Sequence, residues 1–402
     1  MKIELKDIDE SSYSNFLDSI RNAGTKRGYV RNLRKFLNLI PNNIYEEYLG
    51  TTPESREIEC LADSFTRLAK KDIKVTKSII KSYIKEINKE VESGVISPNT
   101  VSNKIKPIKA LLTANEIDIS WKPLNKMFPR ETKSQDRAYT KQEIQKMLHH
   151  CTDITDKMII LMFSSAGFRL ESWDYFCWKD VIPFKAENNN YKGAALRVYR
   201  GDPEEYWTFI TPEACKILSL YKEEWKSRFL QYPKDDDPLI VSTRFDFPHR
   251  LKQKGIRARV DKIVTKIGLR DKLVKGQRRY EVKLDHGFRK YFNTMMRRAK
   301  VNYLDKEDMM GHKVGLESSY ERYEEQDFER FAEYQKAIPF LTISDEEKLA
   351  VENHNLLAEK TKLENYASEV KMQNNEITRQ NQAINYLLEE LKSIKKNQES
   401  EK

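Results

Sequence analysis

The sequence predicts a mainly α-helical protein with a small antiparallel β-sheet and a C-terminal coiled coil. Three observations predict this fold class. Apolar residues recur three and four positions apart through most of the first 120 residues and again after residue 140. Two short strand-like segments flank a Gly-Asp-Pro turn at residues 201–203. Beyond residue 340, apolar residues repeat every seven positions.

These patterns divide the 402 residues into four predicted segments. Residues 1–120 are predicted to form a helical domain, 121–137 a linker, 138–340 an α+β domain and 343–397 a coiled-coil tail. Pro123 and Pro129, amid mixed charges, indicate the linker. Thr140 followed by Glu143 is a capping-box pattern, which predicts the first helix of the α+β domain. We expect the sheet near residues 180–212.

Composition is compatible with a nucleic-acid partner. There are 72 Lys and Arg residues against 62 acidic ones, a net charge of +10, although many proteins without such a partner are as basic. Four scattered cysteines without a C-x-x-C motif suggest reduced thiols, and no apolar stretch reaches membrane-spanning length. We therefore expect a cytoplasmic, DNA-associated protein. The scattered cysteines are Cys60, Cys151, Cys177 and Cys215.

The most informative stretch runs from His286 to Tyr323. Helical spacing of the apolar residues that follow places His286 and Arg289 one turn apart on one helix face, with Asp285 as the expected N-cap. His312 and Tyr320 come shortly after. Two imidazoles, a guanidinium and a phenol together suit the attack of a tyrosine on a phosphodiester while cationic donors hold the phosphate.

A second candidate phosphate ligand lies upstream. Arg169 follows an apolar helix and a glycine, so it carries a fixed charge beside a buried segment. It is either held for an anion or paired at the surface with Glu171 or Asp174.

These motifs, taken in order, resemble the tyrosine recombinase (phage-type integrase) family. Residues 166–172 (Ala-Gly-Phe-Arg-Leu-Glu-Ser) are similar to its first arginine motif, residues 286–289 to its His-x-x-Arg and residues 310–313 to its Gly-His. The resemblance covers about residues 136–340 well, and the preceding region only in general layout. It implies a helical core-binding domain that clamps DNA and an α+β catalytic domain, with no cofactor and no metal.

The nucleophilic tyrosine departs from the commonest spacing. Many bacterial members place it nine residues beyond the second histidine, where this chain has Glu321. Residues 311–322 are instead similar to the tract of archaeal-looking members, which end in Ser-Tyr-x-Arg. This alignment favours Tyr320, with Tyr323 as the reserve.

The lysine that the family carries on a β-hairpin has no clear equivalent here. Arg200 stands at the predicted turn and Lys192 lies before the first strand. We take Arg200 as the candidate. Since an arginine does not readily lose a proton near neutral pH, it would stabilise charge rather than act as a general acid.

The resemblance implies a mechanism of strand cutting and rejoining. Tyr320 would attack the scissile phosphate and form a covalent 3′-phosphotyrosyl link, releasing a 5′-hydroxyl that later attacks a partner strand. Arg169 and Arg289 would neutralise the phosphate oxygens, His286 would assist proton transfer and His312 would donate a hydrogen bond to the phosphate. Neither ATP nor a metal is expected to take part.

Basic residues in the N-terminal domain are the candidate duplex contacts. A solvated helix face is the ordinary interpretation of such residues, and the resemblance shifts it towards DNA phosphates. The candidates are Arg27, Arg31, Arg34, Lys35, Lys104, Lys106 and Lys109.

The tail carries an unbroken seven-residue repeat. If the apolar column occupies d positions, the a column contains three asparagines, which favours a marginal, parallel, two-stranded coiled coil. A single amphipathic helix folded back on the catalytic domain is the alternative. A dimer of this kind would tether protomers, since recombination needs four subunits on two duplexes. The d column is Leu349, Leu356, Leu363, Val370, Ile377, Ile384 and Leu391, and the asparagines of the a column are Asn353, Asn374 and Asn381.

The sequence predicts a site-specific recombinase of a mobile element or virus, with two alternatives left open. One is a type IB topoisomerase, which shares the tyrosine chemistry. The other is an inactive, recombinase-derived DNA-binding or assembly protein that works through its coiled coil.

Overall fold

A computed structural model describes most of the chain. The described residues are 11–132, 136–270, 273, 279–313, 328–346, 349, 356, 360, 363–381, 384, 387 and 388. They fall into two compact units, one within residues 1–135 and the other within 136–402.

The first unit is helical, because its apolar residues line one face of each segment. The N-caps of two helices are made by Asn22 and Asp72, whose side chains accept backbone N–H groups of the first turn. Phe36 and Phe65 meet edge to face at 5.1 Å in its core. The helices are α1 (Ser12–Asp18), α2 (Ala23–Asn38), α3 (Asn42–Leu49), α4 (Ile58–Lys71), α5 (Ile73–Glu92), α6 (Val101–Ala114) and α7 (Lys122–Asn125).

The segment predicted as a linker begins inside this unit. Leu124 of α7 is buried in the helical core, and Met127 and Phe128 pack against it. The first part of residues 121–137 is therefore packed structure, while the domain boundaries themselves stay a prediction.

The second unit surrounds a small sheet with helices. Thr140 and Glu143 form the predicted capping box at the start of the first of them. The helices are α8 (Lys141–His150), α9 (Ile154–Ala166), α10 (Pro212–Phe229), α11 (Gln253–Lys266), α12 (His286–Arg298), α13 (Tyr303–Met309), α14 (Phe328–Gln335) and α15 (Ile338–Leu341).

Three antiparallel strands, β1 (Val181–Lys185), β2 (Tyr191–Val198) and β3 (Tyr206–Ile210), make the sheet in the order β1-β2-β3. Strands β2 and β3 form the predicted hairpin, in which Val198 pairs with Tyr206. The Thr208 hydroxyl donates to the carbonyl of Ala166 at 3.0 Å and so fixes β3 to the end of α9. The predicted fold class, mainly α with a small antiparallel sheet, is confirmed.

An aromatic core fixes α12 against α9. Phe288 stacks on Phe163 with ring centroids 5.6 Å apart, and Tyr139 packs on Phe288 at 4.6 Å. Such contacts between large rings bury much apolar area in a defined geometry. They set the position of the first turn of α12, which carries His286 and Arg289.

Residues 363–381 of the tail are helical. Their d-column side chains are exposed, with Leu363 at 63% and Ile377 at 53% of full exposure. An exposed apolar column in a single chain is what a coiled coil would bury, and the coiled coil itself stays a prediction. Among the described residues, no helix has the length and apolar character needed to cross a membrane.

Candidate active site

Arg289 is the buried centre of the candidate site. It lies in the first turn of α12 and is only 7% exposed, whereas His286 one turn earlier is exposed. Asp285 occupies the predicted N-cap position, but its backbone is helical and its side chain makes no capping hydrogen bond.

Every hydrogen-bond acceptor of Arg289 is neutral. Its Nη1 donates to the carbonyl of Gly167 at 2.8 Å, and its Nη2 donates to the carbonyl of Met310 and to Nε2 of His312, the latter at 2.7 Å. No carboxylate among the described residues pairs with it. Burial lowers the pKa of Arg289, yet a guanidinium stays protonated in proteins. The site therefore holds a buried positive charge without a counter-ion among the described residues.

Two glycines allow the backbone to approach Arg289 and its neighbours closely. Gly167 ends α9 with φ of 62°, and a Cβ there would lie 2.4 Å from the ring of Phe292. Gly311 has φ of 63°, and a Cβ there would lie 2.5 Å from the ring of Tyr206. Both positions need a left-handed conformation and lack room for a side chain, so glycine fits both requirements.

His312 is held by both ring nitrogens. Since a guanidinium only donates, Nε2 of His312 must accept from Arg289, which places the ring proton on Nδ1. Nδ1 then donates to Oε2 of Glu307 at 2.6 Å. In this arrangement Nε2 has no proton to give. The expected donation from His312 to a phosphate therefore requires the contact with Arg289 to open.

Burial of the Glu307 carboxyl raises its pKa, but hydrogen bonds from Lys306 and His312 outweigh that effect and the pKa is lowered. Lys306 Nζ lies 2.7 Å from Glu307 and is itself buried. Glu307 is therefore a carboxylate at neutral pH and fixes the orientation of the His312 ring.

Arg169 lies beside this centre, immediately before the 3₁₀ turn Leu170–Asp174. It is half-buried, and its guanidinium makes no hydrogen bond or ion pair with the described residues. Surface pairing with Asp174 is not observed, because that carboxylate accepts from the backbone and side chain of Gln253. Of the two sequence interpretations, the anion ligand accords with this position.

Two cavities meet at Arg169. The smaller, of about 150 Å³, is also lined by Arg257, His286 and Arg289, with Asp285 and Glu171 among its acidic neighbours. The larger, of about 420 Å³, is also lined by Tyr206, Gly311, His312 and Lys313. Four predicted site residues from three distant parts of the chain are thus brought together: Arg169, His286, Arg289 and His312.

Arg200, the candidate from the hairpin, is engaged elsewhere. Its Nε donates to the buried carboxylate of Asp180 at 2.5 Å and its Nη2 donates to the carbonyl of Lys179 at 3.0 Å. It lines neither cavity. Because Asp180 binds its side chain, Arg200 does not reach the candidate site despite its position in the hairpin turn. The hairpin instead brings Tyr206, the first residue of β3, to the larger cavity.

Tyr320 and Tyr323, the two predicted nucleophiles, lie outside the described residues. The choice between them stays a prediction.

Three residues of the site had no clear signal in the sequence. Glu307, Tyr206 and Arg257 sit in no recognisable motif, and their positions depend on the packing of α13, the hairpin and α11 around α12. The helical spacing of the apolar residues Ile256, Val260 and Ile263 on α11 could have suggested that Arg257 is exposed.

Five of the seven basic candidates of the first unit line a groove of about 870 Å³ formed mainly by α2, with residues of α5 and α6. Most are exposed, although Lys104 also bonds Glu90 at 2.5 Å. Lys106 bonds Asn103 at 3.1 Å, and Lys109 lies over the ring of Trp121 at 6.0 Å. The candidates that line the groove are Arg27, Arg31, Arg34, Lys35 and Lys104.

No protein-family model and no curated protein matches this sequence. Solved structures are similar to it in part. A XerH site-specific recombinase bound to its difH substrate is 14% identical, with 83% of this chain and 98% of that chain covered and a TM-score of 0.43. A lambda integrase dimer bound to a COC′ core site is 12% identical, with 78% and 97% covered and a TM-score of 0.45.

A third structure, the Tn1549 transposon integrase in complex with transposon right end DNA, is 14% identical, with 72% of this chain and 96% of that chain covered and a TM-score of 0.42. Because the TM-scores are below 0.5, these similarities do not support any conclusion about the function of this chain. Its function has to be inferred from its own residues.

Replacing Glu307 by Gln tests the support of His312. A carboxylate with a lowered pKa in the folded protein contributes stability above its unfolded pKa, and this contribution is lost as the pH falls through the folded value. We expect Glu307→Gln to cost about 1–3 kcal/mol of unfolding free energy at pH 7. Urea titrations from pH 7 downward should show this difference shrinking once the pH falls below the ordinary glutamate range. A difference independent of pH would contradict the assignment.

Proposed function

We propose that this protein is a site-specific DNA recombinase or integrase that cuts and rejoins strands through a covalent tyrosyl intermediate. One observation carries the proposal. Two guanidiniums, the buried Arg289 and the half-buried Arg169, line one cavity, and neither has a counter-ion among the described residues. Two such charges on facing elements form a site for a dianionic or monoanionic oxyanion, and a phosphodiester has that chemistry.

The donors of Arg289 suit a phosphate. A guanidinium has five N–H groups, and three of them are used by Gly167, Met310 and His312. The other two make no hydrogen bond of normal geometry with the described residues, and we propose that they face non-bridging oxygens of the phosphate, with Arg169 supplying its own donors. Charge that develops on these oxygens during in-line attack is then neutralised by groups already in place, which is the largest common contribution to catalysis of this kind.

The histidines flank this pair of arginines. His286 is exposed at the smaller cavity, where it can exchange a proton with the attacking tyrosine or the leaving oxygen. His312 holds Arg289 in position until the phosphate arrives. When the contact between them opens, Nε2 of His312 becomes free to take part, with Nδ1 still held by Glu307.

In the proposed reaction a tyrosine oxygen attacks the scissile phosphorus and the 5′-oxygen of the next nucleotide leaves with a proton. The phosphotyrosyl bond conserves the energy of the broken phosphodiester, and a 5′-hydroxyl of a partner strand reverses the step. Tyr320 is the proposed nucleophile and Tyr323 the reserve. Integration or excision of a mobile or viral DNA is the proposed use, and the protein would be associated with DNA in the cell.

A nicked duplex that carries the candidate attachment sequence tests the chemistry and its nucleophile. The nick lets the short 5′-hydroxyl fragment diffuse away, so the covalent protein–DNA species accumulates. We expect a covalent band on a denaturing gel for the native chain and for Tyr323→Phe, and none for Tyr320→Phe, because only one phenol attacks the phosphorus.

DNA binding measured on the same samples is the control, since loss of a hydroxyl should leave it intact. A band lost only in Tyr323→Phe would transfer the role to that residue. No band for any variant that still binds DNA would contradict the proposed enzyme and favour a DNA-binding assembly protein.

The groove of the first unit is proposed to hold the duplex backbone. Each phosphate contact adds about 0.9 to the slope of log affinity against log salt concentration. The double variant Arg31→Ala, Arg34→Ala should therefore reduce that slope by about 2 in titrations from low to physiological salt. Arg67→Ala is the matched control, because Arg67 is also an exposed arginine on a helix of this unit and does not line the groove. Equal slopes for all three proteins would remove the groove from the DNA interface.

The tail is proposed to join two chains as a parallel coiled coil. The double variant Leu363→Glu, Ile377→Glu places charges in the d column and should convert a dimer into a monomer, as measured by light scattering at fixed concentration. Met372→Glu is the control, because Met372 is 73% exposed and falls at an outward position of the heptad. A native chain that is monomeric at tens of micromolar, or a dimer unaffected by the double variant, would exclude this role.

A further inference from the structure

Tyr206 is a phenol at the candidate site that the sequence motifs do not include. It opens β3, and its ring lies against the backbone of Gly311, where an added Cβ would be 2.5 Å from the ring. With Arg169 and His312 it lines the larger cavity. The hairpin therefore places the hydroxyl of Tyr206 near the guanidiniums of Arg169 and Arg289.

The hydroxyl of Tyr206 is buried and makes no hydrogen bond of normal geometry with the described residues. It lies near the guanidinium of Arg289, which can only donate to it, so its own proton has no acceptor. A buried hydroxyl without a partner is uncommon, because it loses its bond to water and gains none. Burial raises the pKa of Tyr206 to about 12, and the nearby guanidiniums of Arg289 and Arg169 oppose that rise only in part. At neutral pH the hydroxyl therefore keeps its proton and can donate a hydrogen bond to a ligand.

The acidic side chains around the larger cavity do not supply that acceptor. Glu205 accepts from Arg197 at 2.7 Å and from the backbone of Gly201 at 2.6 Å. Asp308 accepts from Arg330 at 3.2 Å, and Glu204 is exposed at the hairpin turn. None of these three carboxylates accepts from the hydroxyl of Tyr206, so its proton is available to an anion bound in the cavity.

We propose that Tyr206 is a substrate-contacting residue, whose hydroxyl donates a hydrogen bond to an oxygen of the phosphate that Arg169 and Arg289 hold. The phosphate is that of the DNA strand, so this inference rests on the proposed function. It assigns to Tyr206 the contact from the hairpin that Arg200 does not make, because Arg200 is bound to Asp180.

Tyr206→Phe removes only the hydroxyl and keeps the ring that packs on Gly311. Without an anion the variant should melt at the same temperature as the native chain or slightly higher, because an unsatisfied buried hydroxyl is lost. With inorganic phosphate, at ionic strength matched by sodium chloride, the rise in melting temperature of the native chain should be reduced in the variant. The rate of covalent complex formation on nicked DNA should fall about tenfold or more.

Tyr45→Phe is the matched control. Tyr45 is also a buried tyrosine whose hydroxyl has no hydrogen-bond partner, and it belongs to the core of the first unit. Its substitution should change the melting temperature in the same direction as Tyr206→Phe. The response to inorganic phosphate and the rate on nicked DNA should stay at the native values.

Two results would overturn the assignment. One is a lower melting temperature of Tyr206→Phe with an unchanged phosphate response, because the hydroxyl would then be paired within the protein. The other is a native rate of covalent complex formation in the variant. The native chain could also respond to phosphate through Tyr206 and yet never form a covalent link with DNA. That result would support the contact between Tyr206 and phosphate and would contradict only the proposed recombinase activity, so failure of one proposal can be told from failure of the other.

Discussion

The candidate site depends on the burial of one guanidinium, Arg289, that has no counter-ion within the part of the chain that the structure describes. Removing a charge from water costs several kcal/mol unless other groups replace the lost solvation. For Arg289 the replacement comes from the carbonyls of Gly167 and Met310 and from the ring of His312. These groups satisfy its hydrogen bonds without neutralising it. The positive charge is thereby kept available for an anion, and a carboxylate in their place would have cancelled it.

The rest of the second unit holds these three acceptors in position. The left-handed glycine at the end of α9 aims a carbonyl at Arg289, and the ring of Phe292 fills the space that a side chain would need. Stacked rings of Phe163 and Phe288 keep α9 and α12 at a fixed separation. Glu307 fixes the His312 ring from the opposite side. Groups aligned in this way need little rearrangement when charge develops on a bound phosphate.

The two units carry their positive charge in different ways. In the first unit, arginines and lysines are mostly exposed along α2 and α6, where salt screens them and each contributes modestly to backbone contact. In the second unit the charge is concentrated on Arg169 and Arg289 in a partly buried cavity, where low solvent exposure strengthens it. Spread charge suits the holding of a duplex, and concentrated charge suits chemistry at one phosphate.

Sequence alone determined the fold class, the hairpin and the capping box at Thr140, because helical periodicity and short motifs are local properties. Short motifs also singled out the two arginines and two histidines that the structure brings together. It could not determine contacts between distant segments. The position of Arg200 in the hairpin turn predicted that it would reach the site. In the structure its side chain instead binds Asp180, twenty residues earlier in the chain. Tyr206 reached the cavity through the register of β3, and the tautomer of His312 followed from Arg289 and Glu307. Those outcomes depend on which side chains meet across the core, and only the tertiary structure specifies that.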